Sequence, residues 1–132
     1  MRPYSIVFIL LLILVSCMPP PQDTQDSSVV IERLYFGRNV GDSLMVTESA
    51  WRLFLSEVVT PRFPNGLTTW HAEGQWRGSR GVIEREPSFV MELVHPIAVN
   101  VEQTVTEIII EYKQRFHQES VLRLQLNGRA TY

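Results

Sequence analysis

Cysteine is nearly missing from this chain: Cys17 stands alone among 132 residues. A single thiol cannot close an internal disulfide and falls short of a zinc ligand set, so burial must hold the fold together. A surplus of positive charge is missing too. Twelve Lys and Arg against 14 Asp and Glu leave a formal charge of −2, unlike the basic balance of nucleic-acid binders and polybasic membrane-surface proteins. No nucleic-acid partner is therefore expected. The sequence also lacks a Gly-x-Ser-x-Gly nucleophile elbow and a glycine-rich phosphate loop, which removes two common routes to acyl-transfer and nucleotide chemistry. A second domain has no room: 132 residues, 45% apolar and 20% charged, suit one globular domain behind a leader.

What is present begins with that leader. Arg2 precedes an unbroken apolar run from Ile6 to Val15, and small Ser16 stands before Cys17, the layout of a signal peptide. As a helix the run rises about 15 Å, half the ~30 Å thickness of bilayer hydrocarbon. It reads as a removed leader rather than a permanent span. Residues 18 to 28, MPPPQDTQDSS, show no apolar periodicity and read as a proline-rich tether, extended by up to ~3.1 Å per residue. A spacer is the expected role, not a ligand for a proline-binding module.

Leu14-Val15-Ser16-Cys17 resembles the lipobox of bacterial lipoproteins. The resemblance implies a diacylglyceryl group on the Cys17 sulfur, cleavage after Ser16 and a third acyl chain on the new amino group. Two or more acyl chains anchor a protein stably. Met18, in place of Asp, resembles the sorting signal for an outer membrane, facing the periplasm. The expected organisation is a signal peptide over 1–16, a lipidated cysteine and tether over 17–28, and a domain over 29–132.

From Val29 the chain alternates, with Val30, Glu32, Leu34 and Phe36 on one strand face and Ile31, Arg33 and Tyr35 on the other. Thr47 can cap a helix in which Trp51, Phe54, Leu55, Val58 and Val59 form one stripe, ended before Pro61. Pro64-Asn65-Gly66 reads as a turn, and Leu67 to Trp76 as a second strand with Trp70 and Trp76 on the face opposite His71, Glu73 and Gln75. Both tryptophans are expected in the core, although a tryptophan at a strand end can floor a ligand pocket. Val82 to Val94 reads as a third strand, with Pro87 implying a bulge or an edge. Asn100 and Gln103 have the spacing of a capping box ahead of a second helical stripe: Val101, Val105, Ile108, Ile109, Tyr112 and Phe116. SVLRLQL, residues 120 to 126, closes as a fourth strand with Leu122, Leu124 and Leu126 on one face.

The order β-α-β-β-α-β matches the ferredoxin-like α+β unit, an antiparallel sheet with both helices on one side. The open side is expected to carry Arg33, Tyr35, His71, Glu73, Gln75, Arg123 and Gln125 as a polar face. The segments LYFGR at 34–38, VTPRFPNGLT at 59–68, GQWR at 74–77, YKQRF at 112–116 and QESVLR at 118–123 resemble a bacterial family designated domain of unknown function 3574. The family often occurs on exported or lipid-anchored proteins. It implies no activity.

The candidate ligand-binding residues are Tyr35, Arg62, His71, Glu73, Gln75, Arg77 and Arg123. His71 and Glu73 sit two apart on a strand and point the same way, as an acid–base pair, two metal ligands or a solvated pair. Arg62, Gln75 and Arg77 can grip an anion, or bridge to Glu84, Glu86 or Glu119. His95 and His117 are expected at the surface. No residue is assigned as catalytic, and no metal or cofactor is expected. Two functions fit: a non-catalytic envelope lipoprotein binding a protein or small molecule through the open sheet face or the 61–66 loop, or a small ferredoxin-like enzyme, dimeric, with Tyr35, His71, Glu73 and Arg123 around a cleft.

Overall fold

The computed structural model describes residues 27–41, 44–77, 81–98 and 100–131. The expected signal peptide, the lipidated Cys17 and the tether up to residue 26 lie outside them. Four long strands form one sheet: β1 (Ser27–Gly37), β4 (Thr68–Arg77), β5 (Ile83–Pro96) and β6 (Val121–Ala130). Their order is β4-β5-β1-β6, antiparallel at every interface. Two helices, α1 (Glu48–Phe54) and α2 (Val101–Phe116), pack on one side. This is the ferredoxin-like α+β arrangement. A two-residue pair, β2 (Asn39–Val40) with β3 (Leu44–Met45), is added in the loop between β1 and α1.

Local chemistry accounts for the helix ends. Thr47 is extended, and its hydroxyl accepts from the Ala50 amide at 3.2 Å, the expected N-cap. The helix runs on through a π-helical turn, Leu55–Val59, closed by Thr60 N–H donating to the Leu55 carbonyl at 2.8 Å. It stops before Pro61. At α2 the expected capping box does not form: Asn100 makes no side-chain cap, and the Gln103 amide donates to Glu107 at 3.0 Å instead. Asn100 is itself helical in φ and ψ, whereas a capping residue is typically extended.

Both stripes face the sheet as the periodicity predicts. Trp51, Phe54, Val58 and Val59 from the first helix meet Val105, Ile108 and Tyr112 from α2 over Leu34, Phe36, Phe89, Met91 and Leu93. Trp51 stacks on Phe89 with centroids 4.6 Å apart, and Phe36 meets Tyr112 edge-on at 4.6 Å. The Tyr112 hydroxyl donates to the Gly37 carbonyl at 2.8 Å, so this buried phenol is satisfied, and burial raises its pKa. Pro87 causes no bulge, since β4 and β5 keep one register through Glu73↔Pro87. Its carbonyl accepts from Arg38 N–H at 3.1 Å where the pairing of β1 with β5 ends at Ser88. The missing N–H thus points where no ladder bond is required.

Two strands present the opposite phase from the expected one. Register places His71, Glu73 and Gln75 of β4, with Arg123 and Gln125 of β6, on the helix side. Trp70, Trp76, Leu122, Leu124 and Leu126 lie on the open side, 37–57% exposed. The polar open face of the sequence reading is thus an apolar one, and the two tryptophans are outside the core. Only Arg33 and Tyr35 of the expected set remain there.

Candidate functional site

The seven candidate residues fall into separate places. Tyr35 is half-buried on the open face, opposite Leu122 and Val90. Arg62 follows the first helix, donates to the Val58 carbonyl at 2.7 Å and stands 3.9 Å from Glu107, not from Glu84, Glu86 or Glu119. It ties the C-terminal end of one helix to the other. Gln75 and Arg77 are exposed on the arm of β4 and β5 that runs past the end of β1.

His71 and Glu73 do share a face, as their spacing requires, and both are exposed. The His71 Nε2 lies 2.8 Å from Glu48 Oε1, and Arg38 Nη1 reaches the same oxygen at 3.3 Å. Arg38 also covers the Phe89 ring at 4.3 Å. His71 is thus held by a glutamate from α1 rather than by Glu73. Arg123 sits at the other edge of the sheet, three strand spacings or about 14 Å away, and Tyr35 lies behind the sheet. The cleft expected from Tyr35, His71, Glu73 and Arg123 together is not assembled.

Arg123 instead marks a cluster that the sequence reading missed. Glu32, in phase with Leu34 and Phe36, is fully buried. Arg123 grips it with two hydrogen bonds, Nε to Oε2 at 2.8 Å and Nη2 to Oε1 at 2.6 Å. Gln125 donates to Oε1 at 2.9 Å, and Arg123 also reaches both oxygens of Glu102 at 2.8 and 2.9 Å. Burial pushes the Glu32 carboxyl up, but the Arg123 and Gln125 hydrogen bonds, the Arg123 charge and His95 together bring it below its ordinary value of 4.5. The Arg123 guanidinium is held charged by the same bonds. His95, expected at the surface, has a side chain only 10% exposed beside Glu32. The signal that could have found this cluster was a glutamate at an inward strand position.

The open face carries the second concentration of chemistry. Apolar side chains occur on all four strands: Trp70 and Trp76 on β4, Val94 on β5, Ile31 and Tyr35 on β1, and three leucines on β6. In their midst Arg33 donates to Glu92 at 2.6 Å and lies 5.6 Å from the Trp70 ring centroid. Among the described residues no group of His, Cys, Asp and Glu is placed to hold a metal ion, and no helix is long and apolar enough to cross a membrane.

This α+β architecture is similar to that of solved structures. A phage SAM lyase in complex with S-methyl-5'-thioadenosine is 18% identical, with a TM-score of 0.62 over 80% of this chain and 92% of that one. A phage SAM lyase in its apo state is 16% identical, with a TM-score of 0.58 over 89% and 95%. At such identity the likeness is one of fold. No curated protein matches the chain in sequence. The model of the protein family of unknown function DUF3574 matches residues 31–132, and the chain belongs to that family.

The lowered Glu32 carboxyl has a testable sign. Its stabilisation is present above the unfolded value and is lost as pH falls through the lower folded value. Urea midpoints of the full chain are expected to drop below about pH 4.5, and Glu32→Gln is expected to flatten that drop whatever it does at neutral pH. An acid limb unchanged in Glu32→Gln would assign the acid sensitivity to other carboxylates.

Proposed function

We propose that this protein is a lipid-anchored interaction domain of the bacterial cell envelope, whose open sheet face docks a second copy of the same chain. The observation that carries the reading is the apolar face, with Leu122 57%, Leu124 40%, Leu126 45% and Trp76 48% exposed. Contiguous apolar surface of this kind marks interaction sites in soluble domains. The patch runs from one sheet edge to the other, so its occupant has to be broad and flat. This chain's own sheet has that shape, and two such faces pack ~10 Å apart around a two-fold axis. The charged pair within the patch, Arg33 with Glu92, is already neutralised internally, so two copies meet without like-charge repulsion.

The anchoring part rests on the leader and on the lipobox ending at Cys17. A tether of residues 18–26, extended, reaches roughly 3 nm. That length lets the domain stand off the bilayer and pair with a neighbour anchored in the same leaflet. Sharing a surface raises their effective concentration, so a modest face suffices.

A second reading, a small enzyme around His71 and Glu73, is supported by the fold's likeness to phage SAM lyase. It is confined to His71, Glu73 and Glu48. Calorimetric titration of the full chain with S-methyl-5'-thioadenosine tests it: heat that His71→Ala abolishes carries this reading, and no heat removes it.

The main reading gives two expectations. Full chain in mild detergent is expected to sediment as a dimer, and Leu122→Glu with Leu124→Glu as a monomer with unchanged far-UV circular dichroism. A wild-type monomer at micromolar concentration sinks the interface. In bacteria fed labelled palmitate, Cys17→Ser is expected to lose the label and leave the membrane fraction, whereas a labelled Cys17→Ser protein contradicts the anchor.

A further inference from the structure

On the helix side a cavity of about 250 Å³ opens between β1, β5, β6 and the start of α2. Val30, Ile97, Ala98 and Val101 supply apolar wall, and Glu32, His95, Glu102, Gln125 and Asn127 supply polar groups. It lies across the sheet from the Trp70 and leucine patch and does not depend on what that patch does.

One buried atom in this wall lacks a partner. The His95 side chain is nine-tenths buried. Its Nδ1 lies 2.8 Å from the Pro96 carbonyl, so that nitrogen carries a hydrogen and donates. Its Nε2, also buried, has no hydrogen-bond partner among the described residues. It stands 3.9 Å from Glu32 Oε1, beyond hydrogen-bond reach. With Nδ1–H used on Pro96, a neutral ring leaves the Nε2 lone pair unmatched in the cavity wall, beside a carboxylate oxygen. A nitrogen that carries a hydrogen and a positive charge can satisfy this lone pair at about 2.9 Å while its charge faces the neighbouring carboxylate.

Charge selects the kind of nitrogen. Glu32 and Glu102 bring two negative charges against one on Arg123, which bonds to both. The positive end of α2 adds about half a charge and does not reverse the sign. Size and walls argue against water as the sole occupant: a water molecule takes about 30 Å³ and wants polar partners on several sides, whereas four of the nine lining residues here are aliphatic. We propose that this cavity binds a small organic ammonium ion, one N–H donating to His95 Nε2, its charge lying beside the Glu32 carboxylate and its hydrocarbon lying against Val30, Ile97 and Val101. Such a molecule meets the orphaned acceptor, the net charge and the apolar wall at once.

The test is an NMR titration of the full chain in detergent micelles, following the His95 ring signals, which His95→Phe identifies by their loss. The probes are propylammonium, propanol and propionate. Propylammonium is expected to shift the signals saturably, and the two others to act at least about tenfold more weakly, a difference of about 1.4 kcal/mol. Glu32→Gln is expected to weaken propylammonium by a similar factor. Because that change also disturbs the interior, the deciding variant is Ala98→Trp. Ala98 is exposed at the rim, and a tryptophan there is expected to block the cavity while the circular dichroism stays that of wild type. No saturable shift at tens of millimolar propylammonium, an equal response to propanol or propionate, or an undiminished shift in a folded Ala98→Trp protein overturns the proposal.

Discussion

The Glu32 carboxylate has no exposed surface, and that single charge dictates how the sheet is threaded. An ion in a protein interior costs several kcal/mol unless hydrogen bonds and an opposite charge offset the loss of water. The partners come from β6, where Arg123 and Gln125 stand two residues apart and therefore on one face. A one-residue slip of β6 against β1 would turn three leucines inward and take both partners away. The leucines are already about half buried, so the slip would gain roughly 1 kcal/mol for each. Breaking a buried ion pair by removing one partner costs about 3–5 kcal/mol, and here Gln125 would go too. The electrostatic requirement wins, and the leucines face out.

The apolar open face follows from that choice. On the helix side β6 adds Val121 to the edge of the core, whose centre, Phe36, Trp51, Phe54, Phe89 and Tyr112, is a continuous aromatic cluster from β1, β5 and both helices. On the open side Val90 is fully buried, flanked in the ladder by Tyr35 and Trp70. The tryptophan thus covers a neighbour while keeping its own outer surface exposed. The result is a sheet that is apolar on both sides, which is the pattern of a layer placed between two others.

Much of this was legible from residue spacing, and the exceptions share a cause. The two helical stripes, the Thr47 cap, the inward set of β1 and the order of the long strands and helices along the chain all rest on local periodicity, and each appears as expected. The phases of β4 and β6 do not follow from local pattern. An isolated Leu-Arg-Leu-Gln-Leu reads as leucines inward, and only a partner 91 residues earlier in the chain reverses it. The same holds for His71, whose partner Glu48 belongs to a helix 23 residues before it, and for Arg62, which meets Glu107 on α2. Spacing showed that His71 and Glu73 share a face. It could not show which carboxylate would hold the histidine.

Arg123 joins the two halves of this picture. Its guanidinium forks to Glu32 on β1 and to Glu102 in the first turn of α2, so one side chain sets both the register of β6 and the seat of the helix beside it. The bidentate geometry suits arginine and not lysine, because both carboxylates take paired N–H groups from one planar fork. Ile97 and Ala98, which follow β5, line the cavity beside the same carboxylate. Anything that draws on Glu32 from the cavity therefore competes with, or adds to, the bonds that hold β6 in phase. By linkage, a cation seated there and the strand phase that exposes the leucines favour each other only if Arg123 keeps its grip on Glu32 while the cation takes the acceptor capacity left over. The carboxylate has that capacity on Oε2, since two oxygens offer about four lone-pair sites, and Arg123 and Gln125 take both on Oε1 and Arg123 one on Oε2.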